Sequence, residues 1–173
     1  MDKIIFKKIA PKELKGFFKF FERSIHGQFP EYSIKTRRYF TKFSYAFKIL
    51  KNGIANKELA IYTAFFGEEY AGFLMASAWP GGICFISWLA VAKKFQRRGI
   101  ASKLLRMCEK DAKLKGFHKI HLWTDERNSK FYKNNGFKLV GKIPENAYGS
   151  DDYLFYKALQ KPIESKFLKT TKI

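Results

Sequence analysis

Gln96-Arg97-Arg98-Gly99-Ile100-Ala101-Ser102 lies between a charge-free run, Ile83 to Val91, and a segment with Leu104, Leu105 and Cys108 at helical spacing. A strand that turns through a small basic loop into a helix N-terminus makes an anion site. The first helical turn offers backbone N–H groups without intrahelical partners and carries a partial positive charge. Arg97 and Arg98 add two full charges, and Gly99 and Ala101 let the backbone come close to a ligand. The chemistry this suits is the binding of a pyrophosphate. Other chemistries find less support. Cys84 and Cys108 fall within apolar patterns and read as small buried hydrophobes, with no disulfide framework. Three scattered histidines do not suggest a metal site.

The order of residues is more specific than the device. Leu89-Ala90-Val91, then Gln96 five positions on, the run to Ala101 and Leu104-Leu105 resemble the acetyl-CoA-binding motif of the GNAT superfamily of N-acyltransferases. Its core reads Gln/Arg-x-x-Gly-x-Gly/Ala, and every slot is filled. The resemblance implies acetyl-CoA as cofactor, with its phosphates on Gln96, Arg97, Arg98, Gly99, Ile100, Ala101 and Ser102. It implies that the backbone of Leu89 and Val91 pairs with the pantetheine arm. A backbone N–H near Ala90 or Val91 would polarise the thioester carbonyl as an oxyanion donor.

Asn128-Ser129-Lys130-Phe131-Tyr132, with Gly136-Phe137 four and five residues after the tyrosine, resembles the second half of the same signature. By that resemblance Tyr132 hydrogen-bonds the thioester sulfur and protonates the leaving thiolate. A phenol of pKa about 10 can donate to a thiolate of pKa about 8.5 once solvent is excluded. One departure stands out. The family places Asn seven residues before that Tyr, where this chain has Asp125; Asn128 lies only four before it. Asn128 is assigned to the cofactor on this reading, while Asp125 reads equally well as a helix N-cap.

No general base is assigned. Many family members carry a Glu in the strand before the phosphate loop, and here that strand has Ser87 and Trp88 but no carboxylate. Glu58, Glu68, Glu69, Asp125 and Glu126 are the carboxylates in view, and turn or cap roles account for most of them. A water relay through Ser87 is the other route.

The elements that must position these residues follow from pattern. Residues 3–9 read as a strand, and a helix runs from Pro11 to about His26 with Leu14, Phe17, Phe18 and Phe21 on one face. A second helix is expected from Ser33 to Leu50, with Phe40, Phe43, Phe47 and Leu50 as its apolar stripe and Asn52-Gly53 at its end. Strands at 59–66 and 70–79 flank the turn Gly67-Glu68-Glu69. A strand at 83–92, a helix at 99–115, a strand at 117–124, a short helix at 126–134 and strands at 137–142 and 152–159 follow. The order β-α-α-β-β-β-α-β-α-β-β predicts an α/β (α+β) fold, a mixed and mostly antiparallel seven-stranded sheet with helices on both faces. The GNAT fold has this order. Residues 1–160 are expected to form one such domain, and 161–173 a basic, loosely ordered tail.

Composition sets the wider limits. The chain has 173 residues, 46% hydrophobic, with nineteen Phe, nine Tyr and three Trp, which is ample for a packed core. It carries 34 Lys+Arg against 15 Asp+Glu, a net charge of +19. Such a field draws acidic partners and supports weak polyanion binding, although a solvated basic surface is the plainer reading. Residues 71–92 form a charge-free run long enough to cross a bilayer, but Pro80-Gly81-Gly82 interrupts it as a turn between two buried strands. The start of the chain lacks the pattern of a secretory signal, so the expected location is cytoplasmic.

These readings converge on an N-acetyltransferase that passes acetyl from acetyl-CoA directly to a primary amine, without a covalent enzyme intermediate. The acceptor, small molecule or protein, is not legible, and oligomeric state is left open, a homodimer being compatible. Phe and Tyr residues of the two N-terminal helices, with Trp79 and Trp88, are candidates to line its pocket. The alternative is a non-catalytic CoA- or polyanion-binding module on the same fold. A nucleic-acid binder without CoA finds no RNA-recognition aromatic signature, zinc spacing or helix-turn-helix here.

Overall fold

The computed structural model describes residues 3–168. Seven strands form a single sheet: β1 (Ile4–Lys8), β2 (Leu59–Phe66), β3 (Glu69–Trp79), β4 (Ile83–Val91), β5 (Lys119–Thr124), β6 (Lys138–Ile143) and β7 (Asp152–Ala158), in the order β1-β2-β3-β4-β5-β7-β6. β1 pairs antiparallel with β2, and β7 pairs antiparallel with β5 and β6. β4 and β5 are the parallel pair, as the crossover between them requires. The helices are α1 (Leu14–Gln28), α2 (Ile34–Tyr39), α3 (Phe47–Ala55), α4 (Ile100–Leu114), α5 (Ser129–Asn134) and α6 (Glu164–Leu168). Among the described residues no helix is long and apolar enough to cross a membrane.

The chain divides into two compact units. The first comprises Met1–Met75 and Leu89–Leu104. Its core is aromatic because α1 places Phe17, Phe20 and Phe21 on one side, and all three rings lie 5.3–5.8 Å from Phe73 of β3, edge to face. Phe20 also stacks on Tyr70 at 5.2 Å. Gly72 of β3 matters by what it lacks. A Cβ there would stand 3.0 Å from the Ala90 carbonyl oxygen and 3.2 Å from both Ile100 and Val91 side chains. The end of β4 and the start of α4 therefore settle against bare backbone.

The second unit comprises Ala76–Trp88 and Leu105–Ile173. Cys84, Ile86, Cys108, Ala112, Ile120, Leu122 and Phe155 are buried in it. The Cys84 and Cys108 sulfurs are 3.9 Å apart, both thiols free. Lys157 joins three elements: its ammonium donates to Glu109 of α4 and to the carbonyl of Asn135, each at 2.8 Å, and lies over the Phe137 ring. In this unit the parallel register runs only from Ile83↔Lys119 to Ile86↔Leu122, while β5 continues to Thr124.

Three expectations from sequence need correcting. The helix expected over 33–50 is not continuous. α2 gives way to a π-helical turn, Phe40–Ser44, in which the Tyr45 N–H donates to the Phe40 carbonyl at 2.8 Å, and α3 starts only at Phe47. One extra residue in the turn slips the apolar register. Phe40 and Leu50 are buried as expected, but Phe43 and Phe47 are exposed. Second, Asn52-Gly53 does not end the helix. α3 runs to Ala55, and Lys57 at φ 62° takes the left-handed position, with the Glu58 N–H donating to the Gly53 carbonyl at 2.9 Å. Gly53 is needed instead for closeness, since a Cβ there would sit 3.0 Å from Leu59 Cβ. Third, the expected loose tail contains α6, and a Cβ on Gly116 would meet Lys166 at 2.9 Å. Residues 169–173 of that tail lie outside the described residues.

Candidate cofactor and acetyl-transfer site

In the first unit the segment after β4 folds by local hydrogen bonds. The Ala92 N–H donates to the Ala71 carbonyl at 2.9 Å, and a 3-10 turn over Lys93–Phe95 closes through Phe95 N–H to Ala92 carbonyl at 2.7 Å. Phe95 is buried and lies 5.5 Å from Phe66, which anchors the turn. The chain then alternates conformation: Gln96 is extended, while Arg97 and Gly99 both take positive φ, 60° and 73°. Successive residues of opposite hand point backbone N–H groups into one concavity, the arrangement that holds anions. The Lys103 N–H donates to the Gly99 carbonyl at 3.1 Å, and α4 begins with no acidic residue in its first turn. Arg97, Arg98 and Gly99 are exposed.

Neighbouring cations are already engaged. Lys94 pairs with Glu69 at 2.7 Å, Lys103 lies over Phe6, and Arg98 packs its guanidinium 5.6 Å from the Phe95 ring. The Gln96 amide donates to the Val91 carbonyl at 3.1 Å, so this side chain fixes the loop to the strand end. Ile100 is buried, and Ala101 and Ser102 are half-buried. What Ile100 offers an anion is its backbone N–H; its side chain belongs to the core. Ala90 is buried, and Leu89 and Val91 are half-buried. The residues fit a polyphosphate: a left-handed turn, two exposed arginines and a helix start free of acid.

In the second unit Tyr132 is buried, ringed by Phe131, Phe137 and Phe155 with centroids 5.1–5.9 Å away. Burial, then the charge of Asp125, pushes its phenol well above its ordinary value. Asp125 caps the turn that leads into α5, accepting the Asn128 N–H at 3.2 Å and the Asn128 side-chain amide at 3.1 Å, and pairs with Arg127. The cap role predicted for Asp125 is thus realised, and the Asn128 amide is held by that cap. The helix closes as its sequence demands, with Gly136 at φ 82° and the Phe137 N–H on the Tyr132 carbonyl at 3.1 Å.

The loop residues thus belong to the first unit, and Asn128 and Tyr132 to the second. Among the carboxylates considered as base, Glu69 is paired with Lys94, Glu58, Glu68 and Glu126 are exposed, and Asp125 serves as a cap. Asp152 was not anticipated. It is the buried acid among the described residues; it accepts from the Asn146 amide at 2.9 Å, and burial raises its pKa. Its sequence signal is faint, an Asp at the start of a strand. Trp79 is exposed and stacked on Phe85 at 4.8 Å, and Trp88 is buried.

Comparison with known proteins bears on the family and the fold. The family model described as the acetyltransferase (GNAT) family matches residues 20–137, more than half of the chain. Over 69 residues the chain is 42% identical to GCN5-related N-acetyltransferase 4, chloroplastic, of Arabidopsis thaliana, which is 38% of this chain and 23% of that protein. The chain therefore spans less than a quarter of that relative. Among solved structures, the PaiA N-acetyltransferase of Thermoplasma acidophilum in complex with coenzyme A is similar at TM-score 0.73 and 21% identity, over 90% of this chain and 99% of that one. The GNAT-family acetyltransferase of Streptococcus pneumoniae is similar at TM-score 0.74 and 20% identity, over 91% and 99%. At these identities the likeness is one of fold, and it agrees with the seven-stranded mixed sheet. Acetyl-CoA is the family's cosubstrate. A matching family pattern across most of the sheet, the left-handed basic turn ahead of α4, and the capped α5 bearing Tyr132 identify this chain as a member of the GNAT acetyltransferase family.

Proposed function

We propose that the chain is an acetyl-CoA-dependent N-acetyltransferase acting on a primary amine, with residues 1–160 as its catalytic domain. The observation that carries this reading is the loop ahead of α4. Arg97 and Gly99 turn the backbone left-handed, and the exposed Arg97 and Arg98 charges precede a helix whose first turn holds no acidic residue. That loop, Gln96 to Ser102, receives the diphosphate, and the backbone of Leu89 to Val91 takes the pantetheine arm. Acetyl-CoA supplies an acyl group activated as a thioester.

Tyr132 is the donor to the sulfur on this reading. Because burial raises its pKa, the phenol remains neutral throughout the working pH range and serves as a hydrogen-bond donor. For the same reason complete loss of its proton to a thiolate is uphill. The balance is met by the acceptor: the nitrogen sheds one proton as the C–N bond forms, and the sulfur gains one as the C–S bond breaks. A neutral amine thus reacts with no net proton release.

Titration calorimetry with acetyl-CoA, followed by thiol-release assays over a panel of amines, tests the proposal. Micromolar binding and amine-dependent thiol release are expected. Binding without release to any amine would instead favour a non-catalytic CoA-binding module, and no binding would remove the loop assignment.

A further inference from the structure

The register slip at Phe40–Ser44 has an outcome that the acetyl-transfer reading does not use. A regular helix would turn Phe43 inward with Phe40; the π turn leaves it 65% exposed. Its ring stacks on that of Tyr39, which is 47% exposed, at 5.3 Å and 21°. The inner side of the segment is fixed independently. Arg37 donates to the His26 carbonyl, and the buried Thr41 hydroxyl donates to the Arg38 carbonyl at 3.3 Å and lies 3.5 Å from His26 Nε2. Exposed rings held in parallel on a pinned segment are not the result of poor packing.

Charge surrounds the rings. The residues between Glu31 and Glu58 contain seven Lys or Arg and no acid. Lys35, Arg38 and Lys42 are exposed and recur at the three- and four-residue steps that share a helix face with Tyr39 and Phe43. Lys42 also reaches Glu22 of α1, at a long 3.6 Å. We infer that the stripe Lys35, Arg38, Tyr39, Lys42, Phe43 is a binding surface for single-stranded nucleic acid. A base laid on the open face of Phe43 continues the existing two-ring stack, and the flanking cations meet the phosphates. Unpaired bases have the free π-faces that a duplex withholds. A second copy of this face would bring like charges together, and an acidic peptide would use the cations and leave the ring faces without a counterpart. A lipid surface calls for a continuous apolar face, and here rings and cations alternate.

The test is fluorescence anisotropy of the full chain with a labelled oligouridylate of about 20 nucleotides, across a range of salt. Tyr39→Ala/Phe43→Ala should weaken binding about tenfold at fixed salt and leave the salt slope unchanged. Lys35→Gln/Arg38→Gln should reduce the magnitude of the slope of log K against log salt by about 1.4. Neither variant touches the loop ahead of α4, so acetyl-CoA affinity should match the parent and serves as the check that both variants are folded. Failure of the parent to bind overturns the proposal. So does equal binding by the ring variant, which would assign affinity to the net charge alone. Tighter binding to duplex RNA, to polyglutamate or to phosphatidylserine vesicles would overturn it as well.

Discussion

Gly99 is the residue at which the proposed cofactor loop is tested most sharply. Its φ of 73° suits a residue without Cβ, and an added Cβ would enter open space, so strain and ligand exclusion can be separated. Gly99→Ala should cost about 1 kcal/mol in chemical denaturation. Gly99→Glu adds bulk and negative charge at the anion site and should abolish acetyl-CoA binding by calorimetry; normal binding by that variant would show that the phosphates lie elsewhere. Tyr132→Phe keeps the packed ring and removes only the hydroxyl. Acetyl-CoA affinity should hold while kcat falls about a hundredfold in a thiol-release assay. An unchanged kcat would reduce Tyr132 to a core residue.

At the level of elements, the caps and clamps of the second unit set how firmly α5 is held. Asp125→Ala removes the cap at its entry and should cost about 1 kcal/mol, whereas Asp125→Asn should retain most of it, as denaturant midpoints would show. Lys157→Met breaks two charged hydrogen bonds, strands the Glu109 carboxylate and should cost about 2 kcal/mol. Element identity was legible from sequence wherever local signals agreed with packing: β2 was placed at Leu59–Phe66, and Asp125 and Gly136 bracket the short helix as residue type alone suggests. The readings that missed share one cause. The 40-43-47-50 spacing is genuinely helical, and the ties of Arg37 and Thr41 to His26, eleven and fifteen residues away, are not visible in it. Gly53 looked like a stop signal because nothing local shows that Leu59 must pack against it. The left-handed basic turn ahead of α4 was readable as a turn because it is a local device, while nothing in the sequence around Asp152 signals that it is buried.

The whole molecule carries +19, and its pH response is set by the few groups whose surroundings oppose or exceed that background. Asp152 has a folded pKa raised above 3.8, chiefly by burial. The folded chain therefore holds that proton more tightly than the unfolded one. Its stabilising contribution is complete below the unfolded value and is lost as pH rises through the folded one. Glu13 has the opposite sign: the Ala10 N–H first, then Lys7, lower its pKa, so its contribution is present above 4.5 and lost as pH falls through the depressed value. Subtracting the stability curve of Asp152→Asn from that of the parent should isolate the first effect, with a difference that declines from about pH 4 toward neutrality. A flat difference would mean that Asp152 is not buried in solution.

The pair Cys84 and Cys108 bears on how all of this is measured. Both are buried, and the hydrogen bond between them, together with burial, pushes the Cys108 thiol up, away from the reactive thiolate. A reagent that colours on meeting free thiol should therefore pass over the native enzyme and report only newly released coenzyme, without a cysteine-free background. By the same token, a single cysteine introduced at an exposed position becomes a uniquely addressable handle for a dye.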